Sequence, residues 1–77
     1  MKIKKLKLTA VFERDGKFWM GYVQELPGAN TQGRTLPEAR RNLKEAIRLI
    51  LETNRELAEE RNVGRDVIKE ECLVGSE

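Results

Sequence analysis

Any catalysis by this chain would have to come from its carboxylates. The sequence has no histidine and one cysteine, and Ser76 is its only serine. Imidazole general-base chemistry, a Ser-His-acid triad and a papain-like thiolate pair are therefore excluded. A thiolate zinc site needs more than Cys72 alone. No glycine-rich run leads into Lys-Ser or Lys-Thr, so a phosphate-cradling loop is absent too. Glu13, Asp15, Glu25 and Glu38 remain, near strand ends or the start of a helix. Acidic pairs can hold magnesium, but with 36% charged residues the same scatter arises by chance. Capping and surface roles are sufficient for these four. No catalytic residue, cofactor or metal ligand is assigned, and the chain is expected to act without catalysis.

Seventy-seven residues make one domain, spanning 1–77. A chain this short hides only about 60% of the surface its unfolded form exposes, and oligomerisation is a common remedy. The apolar fraction, 39%, suits a folded protein, while the net charge of +2 is too small to indicate a nucleic-acid partner. The lone Cys72 excludes an internal disulfide and points to a reducing cytoplasm. No apolar run is long enough to span a membrane. Lys2, Lys4, Lys5 and Lys7 alternate with apolar residues, which reads as a strand rather than a signal peptide.

The elements that would position these groups follow from period and punctuation. Residues 3–14 alternate as a first strand, and Asp15-Gly16 supplies the two loop residues of a tight hairpin. A second strand follows over 17–24. That turn sets Phe12 opposite Trp19, Ala10 opposite Gly21 and Leu8 opposite Val23. Leu6, Leu8, Ala10, Phe12, Trp19, Gly21 and Val23 then share the core face. Ala10 beside Gly21 would leave a shallow place for a helix. Pro27-Gly28 turns the chain out of the sheet, and a short third strand is expected over 29–34. Thr35 and Glu38 form a T-x-x-E capping box, with Pro37 in the first turn. A long helix runs from Leu36, with Leu36, Ala39, Leu43, Ala46, Ile47, Ile50, Leu51, Leu57 and Ala58 on an apolar stripe. Its last third overhangs the short strands. Asn62 and Gly64 suit its stop, and residues 65–74 read as a final strand with poor alternation. The fold class is α+β: a single β-β-β-α-β domain, mainly antiparallel, with one long helix packed on one face.

That architecture leaves the other face of the sheet open. Val11, Phe18, Met20 and Tyr22 lie there, and they are the candidate protein interface, for a homo-oligomer (dimer or tetramer) or another protein. Two basic groups, the N-terminal lysines and Arg34, Arg40, Arg41, Lys44 and Arg48, can touch phosphates. Acidic residues are interleaved with the second group, so direct nucleic-acid binding is not expected. Lysines on a first strand also protect a sheet edge. Cys72 has no basic neighbour or helix start to lower its pKa and is expected to be buried or at an interface.

The run D-G-x-x-W-x-G-Y-V-Q-E-L-P-G-A-N-T-Q-G-R-T-L-P-E-A, followed by N-L-K-E-A-I, resembles the N-terminal domain of the HicB-like antitoxins. Asp15-Gly16 stands at that family's hairpin turn, and Glu25-Leu26-Pro27-Gly28 at its acidic-Leu-Pro-Gly turn. Gly33 and Thr35 match its Gly-x-Thr, and Glu38-Ala39 and Glu45-Ala46-Ile47 match its two Glu-Ala steps. The resemblance covers residues 5–52. Gln24 and Ala29 depart from the proline and cysteine often found there. The resemblance implies a partial ribonuclease H-like fold without catalysis. It also implies a toxin-antitoxin system, in which a small basic RNA-cleaving toxin is neutralised by steric masking. Full-length relatives carry a separate DNA-binding domain, which this chain is not expected to have. The alternatives are a solitary homo-oligomeric regulatory or structural module, and a nucleic-acid binder or metal-dependent nuclease.

Overall fold

A computed structural model describes residues 7–72. Among them are strands β1 (Ala10–Asp15), β2 (Phe18–Val23) and β3 (Asn30–Gly33), then helix α1 (Leu36–Asn62). The strands form one antiparallel sheet in the order β1-β2-β3. The helix packs on one face, chiefly over β3 and β2. The fold is therefore α+β with a three-stranded antiparallel sheet and one packed helix.

The hairpin turn differs from its expected form. Asp15 remains in β1 opposite Phe18, so Gly16 and Lys17 are the loop residues. Gly16 has φ 61°, and among the described residues none other than glycine has positive φ. A turn with glycine in the first central position needs only that one positive φ, the type II′ arrangement. Asp15 thus never meets the steric cost expected of it. Phe12 now faces Gly21, Ala10 faces Val23 and Arg14 faces Trp19. The register slips by two residues, and an even slip leaves every side chain on its expected face. Gly21 does not offer the helix a shallow place. A Cβ there would lie 3.0 Å from the Phe12 ring, which covers the glycine across the strand pair.

The second turn follows directly from its residues. The Ala29 N–H donates to the Leu26 carbonyl at 3.2 Å, with Pro27 and Gly28 between them and Gly28 at φ 95°. Proline then glycine in the central positions is the signature of a type II turn, whose third residue needs positive φ. The Val23 N–H donates to the Ala29 carbonyl at 3.1 Å, so the turn feeds straight into the β2-β3 ladder.

The helix start is built on Thr35, held extended at φ −129° and ψ 161°, whose Oγ1 accepts from the Glu38 N–H at 3.2 Å. The reciprocal half of the expected capping box is displaced by one residue. Glu38 Oε1 accepts from the Arg34 N–H at 2.8 Å rather than from Thr35. β3 ends at Gly33, so the Arg34 amide has no ladder partner, and the carboxylate supplies one. At the other end, Val63 N–H donates to the Glu60 carbonyl at 3.2 Å, and Gly64 at φ 74° stops the helix.

The core is small. Val23, Ala29, Ala39 and Leu43 are buried, and Phe12, Leu26, Ile47 and Ile50 pack around them half-exposed. Ala10 and Leu8 are exposed rather than in the core, and Leu6 lies outside the described residues. Beyond Ile50 the stripe loses its cover: Leu51 and Leu57 are 51% and 53% exposed. A helix of 27 residues runs about 40 Å, roughly twice the length of a six-residue strand. The expected first strand is shorter than 3–14, and its residues 3–6 lie outside the described range. The expected final strand is absent over 65–72, while 73–74 lie outside. Val67 and Ile68 are adjacent rather than alternating, so no strand register buries both. Lys69 instead reaches Glu59 on the helix at 2.8 Å.

The tightest contact is between Gly33 and the first turn of the helix, where a Cβ would lie 2.6 Å from the Ala39 nitrogen. Gly33→Ala is expected to lower stability by about 2 kcal/mol or more through forced separation of helix and sheet. Gly16→Ala, with nothing within 4 Å of its Cβ, is expected to cost about 1–2 kcal/mol through its positive φ alone. Chemical denaturation of both variants checks the order, and equal losses would contradict the close-packing account.

Candidate functional site

β2 alternates by the two-residue period of a strand, so Trp19, Gly21 and Val23 face the helix while Phe18, Met20 and Tyr22 face away. These three are 41%, 37% and 45% exposed. Their cross-strand neighbours are given by the register. Tyr22 sits between Val11 and Asn30, Met20 between Glu13 and Gln32, and Phe18 beside Asp15. The open face is therefore an apolar stripe along the central strand, edged by polar and acidic side chains on both flanking strands. Val11, half-buried, is the one apolar residue extending it sideways. An apolar centre with a polar rim is the anatomy of a protein interface. A flexible thioether between two aromatic rings adapts readily to an opposing surface.

The four carboxylates are not gathered into a site. Glu13 and Asp15 edge the open face, and Glu38 serves the helix start. Glu25 closes the end of the sheet. Its Oε1 accepts from the Thr9 N–H and its Oε2 from the Thr9 hydroxyl, both at 2.7 Å. Those bonds, the backbone one foremost, hold the Glu25 carboxyl below the ordinary carboxylate range. The clamp joins residues far apart in sequence and could not be read from local spacing. Among the described residues, no group of three or more metal-ligating side chains comes together.

The basic cluster on the helix is interrupted by acids. Arg48 bonds both Glu45 and Glu52, and its hydrogen bond to Glu45 lowers the pKa of that carboxyl. Lys69 does the same for Glu59. Lys2, Lys4 and Lys5 lie outside the described residues. Cys72 is exposed, so burial of its thiol is ruled out. Arg14, on the helix side of β1, lies 5.7 Å from the centre of the Trp19 ring, a cation–π distance. No helix among the described residues is long and apolar enough to cross a membrane.

The chain is 42% identical over 72 residues to a UPF0150 protein of Synechocystis sp., covering 91% of this chain and 97% of that one. The chain belongs to the UPF0150 family. A UPF0150 protein of Thermotoga maritima is 48% identical over 46 residues, which cover 57% of this chain and 61% of that protein. No family model matches the chain, and no solved structure gives a significant match. These findings correct the HicB-like resemblance. The relatives carry the UPF0150 name, so the assignment as a HicB-like antitoxin, its toxin-antitoxin context and the masking of an RNA-cleaving toxin are withdrawn. The partial ribonuclease H likeness falls with it, since no solved structure supports it and no final strand forms over 65–72.

The Glu25 clamp sets a pH dependence. A carboxyl whose folded pKa is depressed contributes stability above its unfolded pKa, about 4.3, and loses it as pH falls through the folded value. Glu45 and Glu59, also depressed, share that acid loss. Glu25→Gln is therefore expected to flatten, without abolishing, the fall in thermal midpoint between pH 6 and pH 3. Identical pH profiles for the two proteins would show that the clamp contributes nothing.

Proposed function

We propose that this UPF0150 chain is a non-catalytic, self-associating binding module whose open sheet face, centred on Phe18, Met20 and Tyr22 and extended by Val11, docks a second copy. The reading is carried by one observation: the helix covers one face of the sheet and leaves an apolar stripe on the other.

The small core argues that the partner is a copy of the chain itself. Among the described residues, four buried apolar ones make a weak foundation for a fold, and a contact needed for stability must be available wherever the chain is made. Symmetric pairing of identical chains meets that need, and two-fold dimers are the commonest outcome. The stripe has the composition such a contact uses, with aromatic residues and methionine at the centre and charge at the edge. A reducing cytoplasm, inferred from the lone cysteine, completes the proposal.

Light scattering across a concentration series is expected to give a mass above that of one chain. Met20→Lys, which places a charge in the middle of the stripe, is expected to weaken that association at least tenfold while the helical circular-dichroism signal is retained. A mass of one chain at every concentration would contradict the proposal.

A further inference from the structure

The two edges of the sheet differ in a way that the register makes explicit. Bonded and non-bonded pairs alternate along an antiparallel ladder. The Gln24 N–H donates to the Thr9 carbonyl at 3.0 Å, and the Val23 N–H to the Ala29 carbonyl at 3.1 Å. β1 therefore bonds β2 through its odd-numbered residues, and β3 does so through Ala29, Thr31 and Gly33. The outward groups of β3 belong to Asn30 and Gln32. The Gln32 carbonyl is already taken by Asn42 Nδ2 at 3.0 Å, beneath the helix. On β1 the outward N–H and C=O groups belong to Ala10, Phe12 and Arg14, with Leu8 continuing the row, and the helix packs chiefly on the other two strands. Such a row is a template for another strand.

We propose that a second copy occupies this edge, with β1 pairing antiparallel to its symmetry mate about a two-fold axis at Val11. This rests on the self-association proposed above and names a second contact for it. Charge and strand length select the register. An axis at Glu13 would set Glu13 against itself, a like-charge pair that destabilises a ladder, and an axis at Phe12 would leave Lys7 and Leu8 without opposites, because the chain turns away at Gly16 and Lys17. An axis at Val11 sets Lys7 against Asp15 of the second copy, twice by symmetry, and Glu13 against Thr9. It also places Val11 on Val11 at the axis and Phe12 opposite Ala10, large against small. Every described residue from Lys7 to Asp15 is then paired. An axis at Ala10 would join Lys7 to Glu13 instead and leave Val11 opposite Thr9. Edge pairing at Val11 joins two three-stranded sheets into one and brings the two Phe18-Met20-Tyr22 stripes onto the same side, so the copy that covers the open face is a different one from the copy at the edge.

Ala10→Pro tests the edge, because the Ala10 N–H points away from β2 and its loss leaves the internal ladder intact. The expected result, by analytical ultracentrifugation with the fold checked by circular dichroism, is at least tenfold weaker association. Lys7→Asp and Asp15→Lys are each expected to weaken association about fivefold, and the double variant to return within about twofold of the parent. Should Ala10→Pro not fold, this charge cycle decides the matter. Folded Ala10→Pro that associates like the parent would overturn the edge, and rescue of Lys7→Asp by Glu13→Lys in place of Asp15→Lys would overturn the axis at Val11. If Met20→Lys weakens association and Ala10→Pro does not, the edge fails and the open-face reading stands. The reverse pattern overturns the open-face reading and leaves the edge.

Discussion

The close approach of Gly33 to the Ala39 backbone is the constraint on which the remaining structure depends. A side chain at position 33 would collide with the helix, so glycine lets the first turn rest directly on β3. That contact fixes the helix to one face of the sheet and aims its apolar stripe, with Leu43 at its centre, over Val23 and Ala29. It also determines what is left uncovered. A helix seated over β3 cannot reach the opposite face, and its second half runs past the strands with Leu51 and Leu57 exposed. The small core and the open stripe are two consequences of one packing choice.

Much of this was legible in the sequence because it rests on local chemistry. Pro27-Gly28 dictates a turn, Thr35 a helix start, Gly64 a helix stop, and the strand alternation sorts inner from outer residues without reference to anything distant. Errors arose where two local solutions were nearly equivalent. Asp15-Gly16 and Gly16-Lys17 both make two-residue turns, and the single positive φ of Gly16 decides for the second. The cap at Glu38 shifted by one residue because an unpaired Arg34 amide lay within reach. The expected strand after the helix failed for want of alternation. The Glu25–Thr9 clamp and the Asn42 bond to Gln32 were invisible, since neither partner carries a local signal of the other.

The corrected family assignment has a physical lesson. The residues that carried the HicB-like resemblance are the glycines, the prolines, the helix cap and small helix residues between Asp15 and Ile47. The structure gives most of them backbone work: turns at Gly16 and at Pro27-Gly28, close packing at Gly33 and Ala39, a cap at Thr35. Such residues specify a chain path, and a chain path does not specify an activity. Of the residues that bear on binding, Phe18 and Met20 fall on positions the run leaves open, and only Tyr22 belongs to it. Membership of UPF0150 rests instead on identity across nearly the whole chain.

The central claim is that the open face of the sheet is covered by a second copy. Isotope-filtered nuclear Overhauser spectroscopy on a mixture of labelled and unlabelled chains tests it most directly. The account predicts cross-peaks between the Met20 methyl group of one chain and the ring protons of Phe18 or Tyr22 of another. A sample that shows association by mass yet no intermolecular contact to any of these three side chains would contradict it.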